Sequence, residues 1–450
     1  MLGIKNKNLN LFYFLLSCSI SEIIYLSLYF ISNQQSFYIL YIFSITICFI
    51  LYFIHIAILS KINHSYNIKS IVVFIFIFGI LNRLTLVCLP PFLSNDIYRY
   101  IWDGYIQTQG INPYLYPPNA LELANYRNLP IYNSINHLHL PTIYPPLAQV
   151  LFFLTFLFSK DSIIAIKIIL LIFEILTNLI LLKTLNLLNI NPTNLAIYML
   201  CPLPIVEFFI SGHIDAVGIF FLVLFIYTIL SKRIALSAIA LSSAVLIKIM
   251  PIIFIPITFY HIKRKYLLAF YTIFVTTILL LYLPYLNIGY KALGSFNTFI
   301  KDFYFNSSIF SLLYFFTNQS KLSSLICYIL LAIYIIIILL KKQDFIFTIF
   351  LFLTGIYIFS PIVHPWYLTW IIPLLIFIPS KAFFWLIMSC QFSYYILIKY
   401  TQENIWQEST IIKLIEYLPF FALLIWDLLR FRAIRKNHFQ EQLTYVNKTS

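Results

Sequence analysis

The stretch IVVFIFIFGILNRLTLVCLPPFLSNDIYRYIWDG, from Ile71 to Gly104, decides how this chain folds. Ile71 to Leu89 is an apolar run with one charge, Arg83. About 20 such residues cross a bilayer as a helix. Pro90-Pro91 then ends the run, because proline has no N–H and restricts the residue before it. Directly behind the span come Asp96, Arg99 and Asp103, set among Tyr98, Tyr100 and Trp102. A charge held beside hydrocarbon costs on the order of a few kcal/mol, so a functional loop is the default reading.

The rest of the chain repeats the apolar half of this pattern. Of 450 residues, 62% are hydrophobic and 10% charged, and the mean hydropathy is +0.92. That excludes a soluble domain. The apolar runs are continuous rather than alternating, which excludes a transmembrane barrel. Lipid-facing backbone must satisfy its own hydrogen bonds, so the spans are helices. The net charge of +14 does not point to nucleic acid, because Lys and Arg sit in short clusters between apolar runs. Those clusters set topology and meet anionic lipid headgroups. The six cysteines all lie in apolar segments without a CxxC and read as small buried hydrophobes. The first run, 9–31, follows Lys5 and Lys7 and is too long for a cleaved signal peptide.

Runs expected to cross are 9–31, 37–59, 70–90, 162–182, 194–210, 214–231, 234–247, 250–260, 266–286, 323–340, 345–360, 366–379, 382–398 and 411–429. The expectation is an all-α polytopic transmembrane helical bundle of about 12 to 14 spans, with a structured first large loop on the outer face. Residues 1–429 form the membrane domain, the loop 91–146 carries the main motif, and 430–450 is a basic cytoplasmic tail. Segment 147–158 is short for a span and reads as a re-entrant or interfacial helix. Residues 234–260 are either two spans or one helix bent at Pro251. With the amino terminus inside, most of the 29 Lys and Arg fall on the inner face, including the tail RFRAIRK from Arg430 to Lys436. The loops with Asp96, with Gly212-His213-Ile214-Asp215 and with His364-Pro365-Trp366-Tyr367 then all face out, as does Lys248.

Each polar residue carries a plain reading beside a chemical one. Ser94 or Asn95 caps a short helix on which Asp96, Arg99, Tyr100 and Asp103 share a face. The helix dipole favours ionised Asp96, which can act as general base toward a hydroxyl. The plain reading is an ion pair of Asp96 or Asp103 with Arg99. His137 and His139 in NHLHLPTIYPPLAQ (136–149), which also holds Tyr144, are candidate substrate contacts and weak as metal ligands. His213 and Asp215 break two spans, with Glu207 nearby; Asp215 is a helix cap, or the acids orient sugar hydroxyls or bind a metal. Lys248 meets a phosphate or snorkels to the interface. His364, Trp366, Tyr367 and Trp370 form an interface belt or a sugar-stacking surface. Asn-x-Ser triplets at Asn306 and Asn318 are too common to mean glycosylation.

The order DIYRYIWDG, GINPYLYPP, PTIYPPLAQ, GHIDA, a Lys-x-x-Pro hairpin and HPWYL, from about Arg83 to Pro373, resembles the integral-membrane glycosyltransferases of the C superfamily (GT-C). It is most similar to bacterial mannosyltransferase-like members that use polyprenyl-phosphate sugars. The resemblance implies a hexosyl transfer, with mannose the expected sugar, to a glycan or glycolipid hydroxyl at the outer face of a bacterial cytoplasmic membrane. Asp96 matches the catalytic base of an inverting attack, and Arg99, Lys248 and His364 match groups that stabilise the leaving lipid phosphate. Tyr100, Asp103, His137, Tyr144, His213, Asp215, Trp366 and Tyr367 complete the expected substrate site. The cofactor expectation is none, or a divalent cation. Tyr105 stands where an Arg is expected after Trp-Asp-Gly. The competing function is a transporter or flippase of lipid-linked sugars. It predicts broken Gly-rich helices and an internal repeat, and only nine glycines occur. A non-catalytic membrane scaffold is the third reading.

Overall fold

The computed structural model describes residues 2–32, 36–61 and 67–449; side chains of residues 2–8 and 432–449 lie outside the description. Helices follow the apolar runs, because a helix closes its hydrogen bonds within one segment. The first three are α1 (Leu2–Ile31), α2 (Phe37–Leu59) and α3 (Ile68–Val87). The loop carries α4 (Asp96–Thr108) and leads into α5 (Pro146–Ser159) and α6 (Ile163–Leu187). Next come α7 (Ala196–Met199), α8 (Pro202–Phe209), α9 (Asp215–Leu230) and α10 (Ile234–Ile247). The second half holds α11 (Ile255–His261), α12 (Arg264–Tyr282), α13 (Phe296–Asp302), α14 (Ile309–Thr317), α15 (Ser320–Leu340) and α16 (Phe345–Phe359). It ends with α17 (Ile372–Leu375), α18 (Lys381–Ser389), α19 (Ile396–Glu403) and α20 (Thr410–Thr449). Among the described residues there is no strand, only an isolated parallel bridge between Phe305 and Ile362.

Among the described residues, seven helices are long and apolar enough to cross a membrane, eight if the bent pair at Pro192–Met199 and Pro202–Phe209 counts as one. The protein is therefore an all-α, multi-pass membrane bundle. Five of the remaining expected spans are shorter apolar helices of 10–17 residues, Pro146–Ser159 is a further short helix of this kind, and 411–429 lies within α20. Segment 366–379 is one of them, a buried 3₁₀ turn at Pro365–Trp370 followed by the single turn of α17. Residues 234–260 are not one bent helix. Lys248 is extended (φ −150°, ψ 132°) and separates α10 from a 3₁₀ turn at Met250–Phe254. Helix α20 continues well beyond the expected 411–429, and the tail side chains from 432 on, like those of Lys5 and Lys7, lie outside the described residues.

Two buried contacts fix where the loop leaves the bundle. Lys167 on α6 donates to the Leu89 carbonyl at 2.5 Å, just where Pro90-Pro91 interrupts the chain. Gly104 on α4 lies so close to the backbone of Phe152 on α5 that a Cβ would overlap the Phe152 carbonyl. Helices α4 and α5 thus dock backbone to backbone, and the loop is held at a set depth.

Arg83 explains how a charge survives inside α3. Its guanidinium donates to Glu174 on α6 at 2.7 and 3.2 Å, to the Gly79 carbonyl at 2.9 Å and to the Met199 carbonyl at 2.7 Å. Met199 ends α7, where Pro202 prevents the helix from running straight on, so its carbonyl is open to a side-chain donor. Tyr198 donates its hydroxyl to Glu174 at 2.5 Å. Both charges are buried, and removing one strands the other. Glu174→Ala is expected to cost about 3–5 kcal/mol and to lower the yield and melting temperature of purified protein, whereas Glu174→Gln costs less. A melting temperature unchanged in Glu174→Ala would refute this account.

Candidate active site

The polar loops meet at one end of the bundle. Helix α4 begins at Asp96, whose backbone N–H is 3.3 Å from the Ser94 hydroxyl; Asn95 makes no side-chain cap. Placed in the first turn, the Asp96 carboxylate faces the positive end of the helix dipole. Oδ1 accepts from the Asn136 amide at 2.7 Å, and Oδ2 lies 3.6 Å from Nδ1 of His213. The side chain keeps 22% exposure, so a substrate hydroxyl can reach it. Burial pushes its carboxyl above the usual range, while Asn136, Lys248 and His137 pull it down.

The second wall is an ion pair. Asp215 starts α9, and its Oδ1 takes the Lys248 ammonium at 2.5 Å and the Trp370 indole N–H at 2.6 Å. Lys248 also sits 4.0 Å from the Tyr367 ring centre, a cation–π contact. Its extended backbone, at the end of α10, turns the side chain into the cleft instead of along a helix face. A quarter of it (26%) stays exposed, leaving donors free for an anion.

The third wall is a column of rings. His213 stacks on Trp366 at 3.9 Å and 19°, Trp366 on His364 at 4.1 Å and 6°, and His364 on Phe305 at 4.5 Å and 23°. Burial, with Lys248 and His137 nearby, lowers the His364 imidazole to about 3, so it stays neutral at working pH. Burial lowers His213 well below its ordinary value too. Lys248 is thus the cation of this cleft. Glu207 closes the back: it accepts from Tyr394 at 2.7 Å and Ser211 at 3.2 Å, and lies 3.7 Å from Nε2 of His213.

Asp96, His213, Asp215, Lys248, His364, Trp366 and Tyr367 therefore gather around one cleft. His137 faces it within electrostatic reach of Asp96, and burial lowers its imidazole. Tyr100 and Tyr144 form an aromatic wall behind it with Phe152, Tyr100 lying flat on Phe152 at 4.6 Å. Arg99 and Asp103 do pair along α4 at 2.8 Å, but they point into the loop. Arg99 holds the Leu140 carbonyl, and Asp103 accepts from Thr142 and Gln149. They pin 140–149 to α4 instead of opening to the cleft. Tyr105, in the place of the expected Arg, packs between Trp102, Tyr126 and Phe156. Asn306, in an Asn-x-Ser triplet, is buried.

Asn136 and Phe305 were not singled out by sequence reasoning. Asn136 opens a motif that drew attention only to its histidines, and nothing around Phe305 in FYFNSS marks it. No group of three His, Cys, Asp or Glu side chains among the described residues could hold a metal ion. The donor chemistry agrees: the Lys248 ammonium already occupies Asp215, and Asp96 faces an amide and an imidazole.

The bundle thus brings a partly exposed carboxylate, an ammonium paired with Asp215 but still partly exposed, and stacked aromatic rings to one mouth. Residues 32–264 match the MptA_B family, alpha-(1->6)-mannopyranosyltransferase, N-terminal domain. The match covers more than half of the chain, and the protein belongs to this family. It is a mannosyltransferase, a membrane glycosyltransferase with a sugar donor and a glycan acceptor. No curated protein matches the chain.

One consequence separates Asp96 from a structural anchor. A carboxyl whose folded pKa is raised above its unfolded value costs stability at every pH above the unfolded value, and the cost disappears as pH falls below it. Asp96→Asn is thus expected to leave the melting temperature at pH 7 unchanged or higher. A marked drop in a thermal scan would make Asp96 a structural ion-pair partner instead.

Proposed function

We propose that the protein transfers mannose from a polyprenyl-phosphate donor to a hydroxyl of a glycan or glycolipid, with inversion, at the outer face of a bacterial cytoplasmic membrane. The observation that carries this is the position of Asp96: a partly exposed carboxylate, not consumed by Arg99, within electrostatic reach of the Lys248 ammonium. One group can take a proton while the other meets a leaving phosphate.

Residues 1–429 act as the membrane domain and 430–450 as its basic tail, with the loop 91–146 over the cleft. The acceptor hydroxyl gives its proton to Asp96 as its oxygen attacks the anomeric carbon. The carbon–oxygen bond to phosphate breaks on the opposite face, and the electron pair leaves on the lipid phosphate. Lys248 neutralises that charge in a water-poor cleft, where such an interaction is stronger than in water. Neutral His364 offers a ring N–H group, and Trp366 and Tyr367 give flat surfaces for a sugar ring. The family's 1→6 linkage points to a primary hydroxyl as the acceptor group, and an α product formed with inversion requires a β-linked donor. The positive-inside distribution of Lys and Arg supports the outer-face assignment.

Transfer is measured in membranes from radiolabelled polyprenyl-phosphate mannose, with the glucose analogue as control, to octyl α-mannoside. The wild type is expected to use the mannose donor. Asp96→Asn keeps the size and loses the proton acceptor, and activity should fall by about 10²-fold or more. Full activity in Asp96→Asn would reject Asp96 as base.

The pH profile carries a second expectation. Asp96 works deprotonated, so kcat/KM falls as pH drops through its raised pKa. Lys248 and Asn136 both hold that pKa down. Asn136→Ala and Lys248→Met should each move the acid limb to higher pH, and Lys248→Met should also raise the donor KM. An acid limb unchanged in both variants would refute this coupling.

A further inference from the structure

The ring column does not end in the cleft. Phe305, its last ring, belongs to a segment that pairs with the chain entering His364. The Phe305 N–H donates to the Pro361 carbonyl at 3.0 Å, and the Val363 N–H donates to the Phe305 carbonyl at 2.8 Å. Residue 305 is thus bound to the backbone on both sides of Ile362, and its ring lies on His364.

The next residue is gripped from the other direction. Asn306 has a positive φ of 44°, which Asn adopts more readily than most side chains. Three of its four polar groups go to the segment around the start of α20. Its N–H donates to the Glu408 carboxylate, its amide donates to Glu416 at 2.8 Å, and its carbonyl accepts from the Tyr417 hydroxyl at 2.6 Å. Lys413 then ties Glu408 at 2.8 Å and the Ser311 hydroxyl at 2.9 Å. Asn306 and Glu416 are both buried. A left-handed residue whose N–H, carbonyl and side-chain amide N–H are all held by one neighbouring segment is fixed in position.

We infer that Phe305, with Asn306 and Glu416 behind it, is a positioning device that fixes His364 and Trp366, and through them His213, against Asp96. The chain of contact is continuous: Glu416 to Asn306, Phe305 to His364, His364 to Trp366, Trp366 to His213, and His213 to Asp96 at 3.6 Å. None of the three touches substrate; they act through the rings. All three lie beyond residue 264, where the family match ends. The inference rests on the cleft being the catalytic site.

The test uses full-length protein, the mannose-donor assay above, and a thermal scan of each variant. Phe305→Leu keeps an apolar side chain and removes the flat ring, whereas Phe305→Tyr keeps the ring. Glu416→Gln keeps an oxygen for the Asn306 amide, whereas Glu416→Ala does not. Displacement of a site group by about 1 Å costs on the order of 10²-fold at most sites, so a fall in kcat of about tenfold or more is expected in Phe305→Leu and Glu416→Ala. Donor KM should change little, the melting temperature should fall modestly in Glu416→Ala and stay near wild type in the others, and Phe305→Tyr and Glu416→Gln should recover most of the rate. That split between ring and non-ring, and between Gln and Ala, is what plain core packing would not produce. Wild-type kcat in both Phe305→Leu and Glu416→Ala, with Asp96→Asn inactive, would overturn this inference and leave the base assignment standing. A rate loss that only follows a lost fold, equal in Glu416→Gln and Glu416→Ala and in Phe305→Leu and Phe305→Tyr, would overturn it too. An active Asp96→Asn would overturn the reading of the cleft and the inference with it.

Discussion

The Lys248 ammonium on the Asp215 carboxylate is the contact on which the site depends. It joins the end of α10 to the start of α9, and through Trp370 and Tyr367 it draws in the turn that carries His364 and Trp366. Removing either partner would leave a charge in a water-poor cleft, which is far costlier than losing the pair's attraction alone. The pair also explains the local backbone. A helix continued through Lys248 would carry the side chain around with the α10 face, so the extended residue is the cost of aiming it. Asp215 keeps its place at a helix start, where the dipole favours its charge.

Two kinds of buried charge can be told apart here. Arg83 with Glu174, and Arg99 with Asp103, are closed: each pair is buried and is tied to further groups of the protein. Asp96 and Lys248 remain open, each with part of its surface toward the cleft. The closed pairs hold geometry: Arg83 ties three helical segments, and Arg99 with Asp103 ties the loop to α4. The open pair has the means for chemistry. Both kinds carry a desolvation cost, larger for the fully buried pairs, but only the open kind has a use for which rigidity alone gives no reason.

The bundle was legible because the bilayer leaves few choices. Continuous apolar runs must be helices, and Pro90-Pro91 marks where the chain emerges. The number of long spans was less legible. Hydropathy cannot separate a helix facing lipid from a short one buried among its neighbours, as in Pro365–Leu375. For the site, titratable residues beside spans identified Asp96, His213, Asp215, Lys248 and His364, since a charge or imidazole at that depth stands out in an apolar chain. Which carboxylate on α4 stays open was not readable. Asp96, Arg99 and Asp103 share a helix face, and the choice of partner depends on Leu140, Thr142 and Gln149, about 40 residues away. Phe305 was invisible for a plainer reason: one Phe among 45 carries no signal until its neighbour is known.

The family match ends at residue 264, yet a wall of the cleft comes from later in the chain. His364, Trp366, Tyr367 and Trp370 lie in the second half, and each touches a residue of the first half directly or through one ring. The site is thus composite. The first half supplies the carboxylates and the ammonium, the second half the flat surfaces that narrow the space between them. Charges alone would leave a cleft open to water, and water would weaken the attraction of Lys248 for an anion. The ring column excludes water from that side without adding charge, because its two histidines stay neutral. On the proposed reading, the acid–base groups come from the matched half of the chain and the shape of the cleft from the other half.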